Sequence, residues 1–90
     1  MSRESFKSVL SLFQGSSTLR CKDVVQALES LGFEVKDGKR GGHKVFFHDR
    51  LQDFYSGSFN CDHGKNPQIK PAYIKNIRKI LEQYSDELSQ

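Results

Sequence analysis

Long apolar runs are missing from this 90-residue chain. No stretch approaches the roughly 18–20 residues that a membrane helix needs, so a spanning segment is excluded. The first residues lack the basic, then apolar, then small pattern of a secretory leader, and a cytoplasmic chain is expected. Cysteine is scarce: Cys21 and Cys61 stand alone, too few for a disulfide scaffold. Reduced thiols, packed as small apolar residues, are therefore expected. Cys21, Cys61, His43, His48 and His63 offer ligand chemistry, but no Cys-x-x-Cys pair occurs and Cys61-x-His63 is a poor zinc signature. Neither a metal nor another cofactor is expected. The chain also lacks repeats, low-complexity tracts and long linkers, and at this length it holds one core.

Charge is modest overall, with 14 Lys/Arg against 11 Asp/Glu and a net charge of +3. Its distribution is uneven. Residues 34–79 hold ten basic and five acidic side chains, whereas residues 80–90 hold three acidic and no basic ones. The middle of the chain attracts a polyanion and the tail repels one. A plain solubilising surface would look the same by charge alone.

Apolar spacing then gives the elements. Phe6, Val9, Leu10 and Phe13 mark one face of a helix over Arg3 to Phe13. Val24, Val25, Leu28 and Leu31 do the same for Arg20 to Leu31, and Gly32 suits a helix end. Phe33-Glu34-Val35-Lys36 and Lys44-Val45-Phe46-Phe47-His48 read as strands separated by the turn residues Asp37-Gly38 and Gly41-Gly42. A third strand is expected near Phe54 to Cys61, with Tyr55, Phe59 and Cys61 on one face and Gly57 as a bulge or weak start. Asp62 to Lys70 reads as a loop. Pro71 opens a last helix whose apolar positions run from Tyr73 and Ile74 through Ile77, Leu81 and Tyr84 to Leu88. Short turns between consecutive strands imply an antiparallel sheet, with the helices on one face.

Three histidines are the candidates for proton transfer, since only His changes charge near neutral pH unaided. An RNA substrate carries its own nucleophile, the 2′-hydroxyl, so cleavage needs a base, an acid and positive charge at phosphorus. A histidine side chain, whose free pKa is about 6.5, suits that work, and His43 is the candidate. Lys39, Arg40, Lys44 and Lys65 are candidate phosphate contacts, and Gly41 and Gly42 allow close backbone approach. The plain alternatives stand beside this reading: Gly41-Gly42 as a hairpin turn, His43 and His48 as solvent-facing strand ends. A Cys–His nucleophile is disfavoured because Cys61 shares the expected buried face with Phe59.

The string Leu28-Glu29-Ser30-Leu31-Gly32-Phe33-Glu34-Val35 is followed by Gly41-Gly42-His43-Lys44-Val45-Phe46. Asp62-His63-Gly64-Lys65-Asn66 comes later, then Ile69-Lys70-Pro71-Ala72-Tyr73-Ile74-Lys75-Asn76-Ile77 and Leu81. Over roughly residues 19–84 this resembles the HicA (YcfA-like) toxin family of type II toxin–antitoxin systems. The resemblance implies an α+β fold of α-β-β-β-α order, like a double-stranded-RNA-binding domain. Residues 19–90 would form that domain and residues 1–18 an N-terminal helical extension. It implies a metal-independent endoribonuclease that cuts mRNA and is silenced by a HicB-type antitoxin, with no membrane partner and no DNA target of its own. The family's required histidine falls on His43. His63 matches a recurrent histidine, and no role transfers to His48. Two departures stand out: Gly42 replaces the usual serine, and Ala72-Tyr73 replaces the common Gly-Thr.

Alternation along the second strand puts His43, Val45 and Phe47 on one face and Lys44, Phe46 and His48 on the other. If Phe46 faces the helices, Val45 and Phe47 lie open beside His43 and offer an apolar patch for the antitoxin or an unstacked base. The opposite assignment stays open at this point. So do two other functions: a non-catalytic RNA-binding module of the same fold, and a protein-interaction domain.

Overall fold

A computed structural model describes residues 3–15, 18–39, 41–62 and 64–89. In chain order it contains α1 (Arg3–Gly15), β1 (Leu19–Arg20), α2 (Cys21–Ser30), β2 (Glu34–Asp37), β3 (His43–Phe47), β4 (Gly57–Asn60), β5 (Gln68–Ile69), α3 (Pro71–Gln83) and α4 (Ser85–Leu88). Strands β2, β3 and β4 form an antiparallel sheet in that order. This is the expected α+β arrangement, consistent with the double-stranded-RNA-binding-domain fold.

The chain enters the sheet through a well-formed helix end. Gly32, at φ +92°, follows the C-cap of α2. Its N–H donates to the Glu29 carbonyl at 3.0 Å, and the Phe33 N–H donates to the Leu28 carbonyl at 3.1 Å. That pair of bonds is a Schellman motif, and buried Leu28 and Phe33 supply the apolar contact that accompanies it. The sheet then places Phe46 and Phe59 on its inner face, 1% and 0% exposed. Phe33, Phe46, Phe54 and Tyr84 join by edge and stacked ring contacts at 5.6–6.0 Å. Gly57 begins β4 rather than bulging from it. Its Cα partner is Phe46, whose ring fills the place a β-carbon would take.

Helix α1 packs against α3 and also meets α2 and α4. Its Phe6, Val9 and Phe13 are buried in the same core as Val24, Leu28, Ile74, Ile77 and Leu81. Helix α3 has Pro71 at its first turn, where a missing N–H costs nothing.

Four expectations need correcting. The third strand spans only Gly57–Asn60, and Tyr55, expected on its buried face, is 95% exposed. The segment expected as a loop contains β5, which pairs antiparallel with β1 as a small separate ladder: Leu19 faces Ile69 and Arg20 faces Gln68. The last helix does not run on to Leu88 but stops with its C-cap at Tyr84, and α4 follows as one turn. Finally, Cys21 and Cys61 are not free thiols; they form a disulfide with Cα atoms 5.6 Å apart. The β1–β5 ladder explains how residues 40 apart in sequence meet. The Cys21 N–H donates to the Pro67 carbonyl at 2.8 Å and the Asp62 N–H to the Gln68 carbonyl at 2.9 Å. The start of α2 is thereby drawn beside the end of β4.

Candidate active site

His43 opens β3, on the face opposite buried Phe46. Its Cα partner across the ladder is Asn60, the last residue of β4. Cross-strand partners sit close enough for short side chains to meet, and here they do. The His43 Nδ1 lies 2.7 Å from Asn60 Oδ1. The Asn60 Nδ2 in turn donates to the Tyr73 hydroxyl at 2.8 Å. Tyr73 stands in the first turn of α3, so one polar chain links two strands and a helix.

These three side chains line a cleft of about 320 Å³ together with Gly41, Cys61, Asp62 and Lys70. The amide oxygen of Asn60 can only accept, so the His43 Nδ1 carries the proton in this bond. The neutral ring then keeps its Nε2 lone pair, the arrangement a general base needs. Lys70 supplies positive charge in the same cleft.

Two glycines shape the surroundings of the ring. Gly38 donates its N–H to the His43 carbonyl at 2.8 Å, and a side chain at position 38 would run into the Cδ2–Nε2 edge of the imidazole. Gly42 has φ +83°, and a β-carbon there would sit 2.5 Å from the Cys61 carbonyl oxygen. The Cys61 N–H meanwhile donates to the Gly42 carbonyl at 2.6 Å. This tight pairing holds the start of β3 against the end of β4.

The family model described as the HicA toxin of bacterial toxin-antitoxin matches residues 21–83. This chain belongs to the HicA toxin family. The match runs from the first residue of α2 to the last of α3 and includes every described residue of the cleft. No curated protein and no solved structure matches the chain. Gly42, where HicA-like sequences commonly carry serine, is explained locally: neither its φ nor its clearance from Cys61 admits a side chain.

The remaining candidates of this HicA-family chain scatter. Lys44 lies on the helix-side face of β3, opposite His43, and its ammonium pairs with Asp37, its cross-strand partner. Lys39 is exposed in the β2–β3 connection and does not line the cleft. Lys65 lines a second groove of about 190 Å³ with Arg20, Lys22, Asn66 and Pro67. Arg40 and His63 lie outside the described residues. Gly41 lines the cleft and Gly42 borders it. His48 is 8% exposed, its Nε2 donating to the Leu31 carbonyl at 2.9 Å while its Nδ1 accepts from the Arg50 N–H at 3.2 Å. Its ring also meets Phe33 edge-on at 4.7 Å. It is a structural residue that satisfies the end of α2.

Asn60, Tyr73 and Lys70 escaped the reading by motif. Asn60 carried a weak signal, since it alternates with buried Phe59. The place of Tyr73 at the Gly-Thr position was noticed only as a departure.

Proposed function

We propose that this HicA-family toxin is an endoribonuclease that cuts mRNA with His43 as general base and without a metal ion. The observation that carries the reading is the His43 ring at the cleft, its Nδ1 bonded to Asn60 and its Nε2 without a hydrogen bond among the described residues. In the proposed step Nε2 takes the proton of a ribose 2′-hydroxyl. The 2′-oxygen attacks the adjacent phosphorus, its bond to the 5′-oxygen breaks and that oxygen takes a proton from water, giving a 2′,3′-cyclic phosphate and a 5′-hydroxyl, while the proton on His43 returns to solvent. Lys70 stabilises the charge that builds on the phosphoryl oxygens. Farther from the cleft, Lys65 with Arg20 and Lys22 holds the RNA backbone, exposed Lys39 extends the basic surface, and Arg40 is a further candidate phosphate contact. His63 is a second candidate for proton transfer.

The partners in this reading are mRNA and a HicB-type antitoxin. Support for a docking face comes from the sheet itself. Val45 and Phe47 share the outer face with His43 and are half-buried, while Phe46 is sealed inside. An antitoxin seated there would cover the cleft and the apolar pair together.

The test compares wild type with His43→Ala on one RNA, with and without EDTA. Cleavage by wild type in EDTA and none by His43→Ala supports the proposal. Equal cleavage by both proteins, abolished by EDTA, rejects it. Tight RNA binding with no cleavage by wild type would instead identify a non-catalytic binding module.

A further inference from the structure

We infer that Asn60 is a positioning residue for His43 and that Tyr73 supports it, together fixing the ring with its proton on Nδ1. The inference deepens the proposed function and rests on it. Neither residue touches the reacting atoms; both act through the imidazole.

The argument starts from the ladder. His43 and Asn60 are Cα partners at the end of β3 and β4, so the sheet itself sets the distance between them. At 2.7 Å the contact is a short hydrogen bond. An amide oxygen accepts and never donates, so the ring must donate through Nδ1. A free histidine side chain favours the proton on Nε2, so the bond selects the other tautomer, and it also steadies the ring once it has taken a second proton. An amide side chain held by one bond alone is free to turn over and present its NH₂ to the ring. Here the NH₂ end is engaged, donating to the Tyr73 hydroxyl at 2.8 Å. Tyr73 is half-buried at the first turn of α3, and its own N–H donates to the Lys70 carbonyl at 3.0 Å. The polar chain is therefore anchored on a helix and not on a loop. Gly38 packs against the ring from the other side, where only a residue without a β-carbon fits beside Cδ2 and Nε2.

Asn60→Ala should lower kcat for RNA cleavage by about 10- to 100-fold, a part of what general-base catalysis contributes, with little change in KM. Asn60→Asp keeps an acceptor at Nδ1 and should recover most of that loss. Its carboxylate favours the charged ring, so the midpoint of the pH–rate profile should move to higher pH. Tyr73→Phe should cost several-fold. Nitrogen NMR of His43 in the wild-type protein should show the Nδ1–H tautomer, and in Asn60→Ala a mixture.

Wild-type kcat and pH profile in both Asn60 variants would overturn the inference. So would an Nε2–H tautomer in the wild-type protein, a result that needs no variant to fold. The two failures are distinguishable. Undiminished cleavage by His43→Ala defeats the functional reading, whereas an inactive His43→Ala beside unaffected Asn60 variants defeats this inference alone.

Discussion

Four residues separate His43 from His48, and the pleat turns them to opposite faces of the sheet. His48 has both ring nitrogens committed to backbone groups and is buried against Phe33. Removing it leaves the Leu31 carbonyl without its donor, at a cost of about 1–3 kcal/mol. His48→Ala should therefore lower stability in urea unfolding while the remaining folded fraction still cleaves RNA. His43→Ala should do the reverse. Gly42 makes a second point at this scale. Forcing a side chain into its left-handed conformation, against the Cys61 carbonyl, costs about 1–3 kcal/mol. Gly42→Ser should lose stability by that amount in denaturant titration, and an unchanged midpoint would show that the loop relaxes freely. The Gly-Gly-His motif put His43 at the start of a strand, and β3 does begin there. It gave no hint of Asn60, because cross-strand neighbours are set by register and register is not written in any local spacing.

Among the elements, those with strong periodicity were legible and the short ones were not. The apolar faces of α1, α2 and α3 announce themselves, and the three-stranded order follows from the turn residues between β2 and β3. The β1–β5 ladder has two residues per strand, too few to show alternation, so Gln68–Ile69 read as loop. That omission hid the disulfide. Without the ladder nothing brings the start of α2 to the end of β4, and two cysteines 40 residues apart look independent. Tyr55 misled for a different reason: its spacing to Phe59 matched a strand, but the chain becomes extended only from Gly57. Closing a loop of this length stabilises a fold by about 3–4 kcal/mol in the chain-entropy account. Reduction, or the double change Cys21→Ser/Cys61→Ser, should shift urea unfolding by that much. Coincident unfolding curves for the reduced and oxidised protein would contradict the prediction.

The whole molecule has a radius of gyration of 12.3 Å, close to the about 12 Å expected when a chain of this length packs as one body. Helix α1 is therefore folded onto the rest, with its aromatic residues in the common core, although the family match begins at residue 21. No helix among the described residues is long and apolar enough to cross a membrane. The cleft lies at the edge of the sheet where β3, β4 and the start of α3 converge, and the second, basic groove lies beyond the disulfide. In the proposed function, an RNA strand laid from one to the other would bring its ribose to His43. The account needs that ribose to supply the nucleophile. The direct measurement is cleavage of an oligoribonucleotide carrying a single 2′-deoxy substitution at the nucleotide 5′ to the cut. Loss of cleavage at that bond alone, with a 2′,3′-cyclic phosphate at the unsubstituted control site, is the predicted result. Undiminished cutting at the deoxy position would contradict it.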